Sequence, residues 1–261
     1  MPRFLPASLA VSAIILPAAA QAEGVAVRYD VFAGGTFAVQ IEAELEIAPT
    51  TYRMGAAMEL GGIYAIVGDW DMQTSGSGAV AGTDLIPHAF RKRTEGGRRW
   101  AELAYADGVI ADARGNPSPD AEDTSTVPAE TKAAAIDPIA AIVRVIHQVS
   151  RSGSCADQMT IYDGKSYYQV TSVDLGPAEA PASRYGTYAG PALLCRITVD
   201  DSAPYGRRDS DPRVADVWLA QPVAGSLHVP VRIETHSRWG AVRVHLTDAW
   251  SVGGLTAEAA E

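Results

Sequence analysis

Lysine is nearly missing from this chain of 261 residues: it occurs only at Lys92, Lys132 and Lys165, and Lys and Arg together number 21 against 31 Asp and Glu. A phosphate-neutralising surface needs clustered cations, so a formal charge of −10 excludes nucleic acid as a partner. Cysteine occurs twice, at Cys155 and Cys195, with neither a C-x-x-C redox spacing nor histidines at zinc-ligand spacing. Catalytic signatures are missing too: there is no Gly-x-Ser-x-Gly, no His-Glu-x-x-His and no Ser-x-x-Lys. Gly164-Lys165-Ser166 imitates the end of a phosphate loop, but Met159 stands where its first glycine would have to be. Past residue 22 no stretch is apolar enough to stop in a bilayer. What is present is ordinary for a turn-rich globular chain: 24 Gly, 16 Pro and 47% hydrophobic residues, enough for a sizeable core.

Residues 1–22 carry one charge, Arg3, then an apolar run centred on Leu9 to Leu16, then Ala20-Gln21-Ala22 with small residues where a signal peptidase reads. This predicts a cleaved signal peptide over 1–22 and a single β-rich exported domain over 23–261, periplasmic and not membrane-spanning after cleavage. In that compartment Cys155 and Cys195 are expected to form one disulfide, with two buried free thiols as the alternative.

The clearest pattern begins at Thr36. Phe37, Val39, Ile41, Ala43, Leu45 and Ile47 alternate with Gln40, Glu42, Glu44 and Glu46, which is the signature of a half-buried strand. After Ala48-Pro49-Thr50-Thr51 the alternation resumes as Tyr52, Met54, Ala56, Met58 and Leu60. Pairing Ile47 with Tyr52 sets Leu45 opposite Met54, Ala43 opposite Ala56 and Ile41 opposite Met58, and puts Glu46 beside Arg53 on the other face. Further strands are expected over 25–33, 76–80, 90–93, 100–106 and 109–113, joined by regular turns into a meander.

The composition over 114–131 shifts to Pro, Asp, Glu, Ser and Thr and reads as a mobile loop. A helix follows, with Asp137 as N-cap, Pro138 in the first turn and a stripe of Ile139, Ile142, Val143, Ile146 and Val149, stopping at Gly153. His147 falls on the opposite face. Asp163-Gly164 then predicts a two-residue type I′ hairpin between strands over 159–162 and 165–173. Later strands are expected over 192–199, 214–219, 227–235 and 241–247.

Candidate chemistry is sparse. Asp69, Asp71 and Gln73 start like a calcium loop, but Thr74 replaces the required Gly and Val80 the terminal Glu. Asp200, Asp201, Asp209 and Asp211 read as solvated loop acids. His228, Arg232, Glu234 and His236 share one strand face, and pairing Ile233 with Val244 sets Arg232 opposite His245 and Glu234 opposite Arg243. This describes a charged outer face; a metal role lacks a third ligand. No metal and no cofactor is therefore expected. The feature with most functional promise is the apolar face of the first hairpin, where Ala43 opposite Ala56, framed by Ile41, Leu45, Met54 and Met58, leaves a notch for an acyl chain or an apolar side chain. Alternatively, the helix stripe simply packs there.

Taken together, Asp137-Pro138-Ile139, Tyr162-Asp163-Gly164-Lys165 with Tyr167 and Tyr168, the run Tyr188-Ala189-Gly190-Pro191-Ala192-Leu193 into Cys195, and Val229-Pro230-Val231-Arg232 before Gly240 resemble the periplasmic domain-of-unknown-function family 3108. The resemblance covers most of the chain past residue 22 and brings no catalytic residues. It implies an exported, mainly β fold: a curved antiparallel sheet or open half-barrel with one helix packed on the concave face. The functional expectation is an exported envelope protein without enzymatic activity that binds a periplasmic or membrane-bound partner in envelope maintenance. The alternative is a carrier of an apolar ligand, a lipid or acyl chain, in the half-barrel cavity.

Overall fold

The computed structural model describes residues 23–67, 70–94, 96–116, 127–200, 212–237 and 240–252. The expected signal peptide lies outside the described residues. Alternating segments separated by glycine-rich turns form one antiparallel sheet of thirteen strands: β1 (Glu23–Ala33), β2 (Thr36–Ile47), β3 (Thr51–Leu60), β4 (Asp71–Ala81), β5 (Asp84–Thr94), β6 (Arg99–Ala106), β7 (Val109–Asn116), β8 (Asp157–Tyr162), β9 (Tyr167–Ala180), β10 (Gly190–Asp200), β11 (Arg213–Ala220), β12 (Val229–Ser237) and β13 (Gly240–Ser251). Among the described residues three helices accompany them: α1 (Tyr64–Val67), α2 (Ala129–Ala133) and α3 (Pro138–Ser152).

The strand order is β7-β6-β5-β4-β3-β2-β1-β13-β12-β11-β10-β9-β8. Each half of the chain is thus a meander, and the two halves join where β1 pairs with β13, Val25 opposite Ser251 and Ala33 opposite Val242. The first hairpin has the register read from its alternation: Ile47 pairs with Tyr52, Leu45 with Met54, Ala43 with Ala56 and Ile41 with Met58. Outside, Arg53 Nη2 lies 2.7 Å from Glu46 Oε2.

The sheet curls without closing its strand pairing into a barrel. Its two wings meet instead through side chains. Lys92, on the inner face of β5, donates from Nζ to Asp163 Oδ2 at 3.0 Å across the gap. Gly164, beside Asp163, comes so near Ala101 of β6 that a Cβ there would sit 2.5 Å from the Ala101 Cβ. The helix α3 spans the same gap, touching β3, β4 and β5 on one side and β8 on the other.

Two expectations change, and that of the disulfide holds. The β8–β9 turn spans four residues, 163–166, because Tyr162 pairs with Tyr167 and Asp163 Oδ1 accepts from the amides of Lys165 and Ser166. This side-chain capping replaces the positive φ that a type I′ turn would need at Asp163. The expected loop 114–131 is shorter at both ends, since β7 runs to Asn116, Val127 is buried and α2 starts at Ala129; residues 117–126 lie outside the described ones. Cys155 and Cys195 are both fully buried and are joined as a disulfide with a Cα–Cα distance of 6.4 Å, tying the segment after α3 to the centre of β10.

Candidate functional site

Local sequence positions α3 tightly. Asp137 caps it, accepting from Ala140 N at 2.8 Å, Pro138 occupies the first turn, and Gly153 ends it in the left-handed region with its amide on Val149 O. Tyr105 of β6 donates its hydroxyl to the other carboxylate oxygen at 3.0 Å. Burial of Asp137 raises its pKa above the usual carboxylate value, a shift these hydrogen bonds oppose. At the opposite end His147 Nε2 lies 3.2 Å from Gly82 O, and Ser150 Oγ accepts from His228 N at 3.0 Å.

The helix does not face the sheet as its stripe suggested. His147, expected on the solvent side, is 6% exposed, whereas Ile142, expected in the core, is 42% exposed. The reason is that α3 is enclosed on two sides, by β3–β5 and by β8, so Ala140, Val143 and His147 are buried along with Ile139, Ile146 and Val149. That leaves Ile142 facing open space.

That space is a cavity of about 420 Å³ between α3 and the concave face of the sheet, with walls almost wholly apolar. The six residues singled out in the first hairpin, Ile41, Ala43, Leu45, Met54, Ala56 and Met58, all line it. From across the curl come residues that sequence reading did not assign to a site: Met159 and Ile161 of β8, Val217 and Leu219 of β11, and Val244 of β13. Their alternation was visible, but which strands face one another across a cavity depends on how the sheet curls. Ala141, Ile142 and Val145 complete the wall from the helix. The helix thus covers the concavity without filling it.

A gradient of burial along the strands locates the mouth. On β2, Leu45 and Ile47 are buried and Val39 and Ile41 half-buried. The same change runs along β11 from Leu219 and Val217 to Ala215, along β12 from Val229 and Val231 to Ile233, and along β13 from Leu246 to Val244. The buried ends lie with the β2–β3, β4–β5 and β11–β12 turns, where the C-terminal half of α3 is anchored. The half-buried ends lie with the β1–β2, β3–β4 and β12–β13 connections, so among the described residues the cavity opens at that rim.

The outer face carries the charges that its register predicted. Arg232 pairs with His245 and Glu234 with Arg243, and Arg232 Nη2 lies 2.5 Å from Glu234 Oε1. His245, however, is buried, its ring 5.7 Å from that of Phe32 and 5.9 Å from that of Tyr185. Its pKa is lowered by burial first and then by Arg232 and Arg243, which favours the neutral ring. His228 does not share this face: it precedes β12 and meets α3. Asp69, Asp201, Asp209 and Asp211 lie outside the described residues, among which no group of three or more His, Cys, Asp or Glu is placed to hold a metal. No described helix is long and apolar enough to cross a membrane.

No curated protein matches the chain. Among solved structures, the crystal structure of a beta-barrel-like protein of domain of unknown function DUF1849 from Brucella abortus aligns with a TM-score of 0.49, at 10% identity, over 90% of this chain and 100% of that one. Residues 25–247, which include every residue that lines the cavity, match the family described as protein of unknown function DUF3108, and the chain belongs to that family.

Proposed function

We propose that this protein is an exported, non-enzymatic carrier that holds the apolar part of a lipid or a fatty acid inside its curled sheet. The observation that carries the reading is the cavity itself, apolar on nearly every wall and open at one rim. Its volume of about 420 Å³ falls in the range of roughly 300–1,000 Å³ typical of small-molecule sites. Burying about ten methylenes would contribute on the order of 8 kcal/mol before the entropy of immobilising the chain is subtracted. The bonded cysteine pair supports an oxidising compartment. The cavity also favours this reading over the expectation of an envelope protein acting only by binding a protein partner.

The test is a substitution that fills the cavity. Ala56→Leu should leave the protein folded with an unchanged or higher melting temperature and abolish uptake of a fluorescent polyene fatty acid from solution. If Ala56 belongs to ordinary closed core, overpacking will instead lower stability by about 1–3 kcal/mol and the wild type will take up no probe, which ends the carrier reading.

A further inference from the structure

The β3–β4 connection stands at the rim where the cavity opens, immediately after Met58 and Leu60 on the strand that lines it. Its short turn is apolar and turned outward: Ile66 is 83% exposed, Ile63 60% and Tyr64 39%. This is a held conformation. Gly61 donates its amide to Ala38 O at 2.8 Å, and the amides of Tyr64 and Ile66 bond to Gly61 O and Ile63 O at 3.2 Å each. The two glycines that precede the turn are pressed against Phe37. A Cβ on Gly61 would sit 2.4 Å from its ring, and Gly62, at φ +58°, would place one 2.8 Å from its carbonyl oxygen. Side chains at those positions are excluded, so the chain tucks in at Phe37 and then projects its isoleucines away from the sheet.

We infer that this tip is a membrane-docking element that sets the cavity mouth against a lipid bilayer, from which the apolar ligand is drawn. The inference rests on the carrier reading and adds the source of the ligand. Two exposed isoleucines and a tyrosine match the chemistry of the bilayer interface, where apolar side chains enter the acyl boundary and tyrosine stays at the headgroup level. A net charge of −10 opposes adsorption to an anionic surface, so contact depends on apolar insertion and neutral phosphatidylcholine is sufficient. Position is the second argument: the tip follows Met58, a residue of the cavity wall, on the same strand, at the half-buried end that marks the mouth.

The experiment compares wild-type protein, as the host processes it, with the double variant Ile63→Ser/Ile66→Ser. Flotation with phosphatidylcholine vesicles reads docking, transfer of a polyene fatty acid from those vesicles reads delivery, and uptake of the same probe from solution reads the cavity. The wild type is expected to float and to draw probe from vesicles, and the double variant to lose both by about tenfold or more, with equal melting temperature and equal uptake from solution. A wild type that does not float overturns the inference, as does a double variant that floats or transfers as well as wild type. A tip that serves a protein partner gives the first of these results. Flotation of the wild type without uptake from solution leaves docking standing and defeats the carrier reading alone.

Discussion

Gly76 of β4 lies against Ile139 of α3 so closely that a Cβ on the glycine would be 2.7 Å from Ile139 Cγ2 and 2.9 Å from its Cβ. The first turn of the helix therefore rests directly on the sheet backbone. Gly76→Ala is expected to push α3 outward and to destabilise by about 1–3 kcal/mol. Gly55→Ala, on the other face of β3 with nothing within 4 Å of the added methyl, should be neutral or stabilising by roughly 0.5–1 kcal/mol. Urea unfolding of both variants checks the contrast.

The helix side chains should rank by their positions in the structure. Ile146→Ala, in the core, is expected to lose about 2–5 kcal/mol. His147→Ala removes a buried ring that sits 3.2 Å from Gly82 O and should lose about 1–3 kcal/mol. Ile142→Ala should lose least, since its side chain is half exposed at the cavity. Thermal melts that ranked Ile142 with Ile146 would show the helix rotated from the position described.

Asp137 gives a pH dependence of definite sign. Its pKa is raised in the folded state, so the folded protein holds the proton to higher pH than the unfolded chain. Its contribution to stability is therefore fully present below the ordinary carboxylate pKa and is lost as pH rises through the raised native value. Asp137→Asn keeps a capping oxygen for the Ala140 amide without the charge, and its side-chain NH2 donates to the Tyr105 hydroxyl oxygen instead of accepting from it. It should match or exceed wild-type stability at neutral pH and flatten the decline across that window, whereas Asp137→Ala should lose about 1–2 kcal/mol. Unfolding free energies measured from acid to neutral pH decide it.

The disulfide closes a loop of sequence separation 40, for which the chain-entropy model gives about 4 kcal/mol. Both sulfurs are buried, so reductant should act only after unfolding. The double variant Cys155→Ser/Cys195→Ser is expected to melt well below wild type, while native protein in dithiothreitol at room temperature should keep the bond on non-reducing peptide mapping.

What was legible in the chain was local. The register from Ile41 to Met58 followed from alternation and one turn, because a slip of one residue would have turned every apolar side chain to the solvent face. The register of Arg232 with His245 and of Glu234 with Arg243 followed in the same way. The cap at Asp137 and the stop at Gly153 have side-chain and backbone reasons that act within a few residues. The six notch residues were identifiable because each lies on that same apolar face.

The remainder was decided by contacts between residues far apart in the chain. The burial of His147 and the exposure of Ile142 depend on two walls, β3–β5 and β8, that enclose α3 from directions no helical periodicity encodes. The pairing of β1 with β13 and the meeting of Lys92 with Asp163 join segments separated by most or much of the sequence. Sequence by itself therefore determined most strands, the registers of the β2–β3 and β12–β13 hairpins, and α3 with its caps, since side-chain period and turn chemistry act over short distances. Only the tertiary structure decided that the sheet curls until its wings touch, that the helix bridges them without filling the space, and that an apolar cavity remains, open at the rim of the β1–β2, β3–β4 and β12–β13 connections. Those outcomes depend on the accumulated twist of thirteen strands and on which distant surfaces meet, quantities that no local pattern carries.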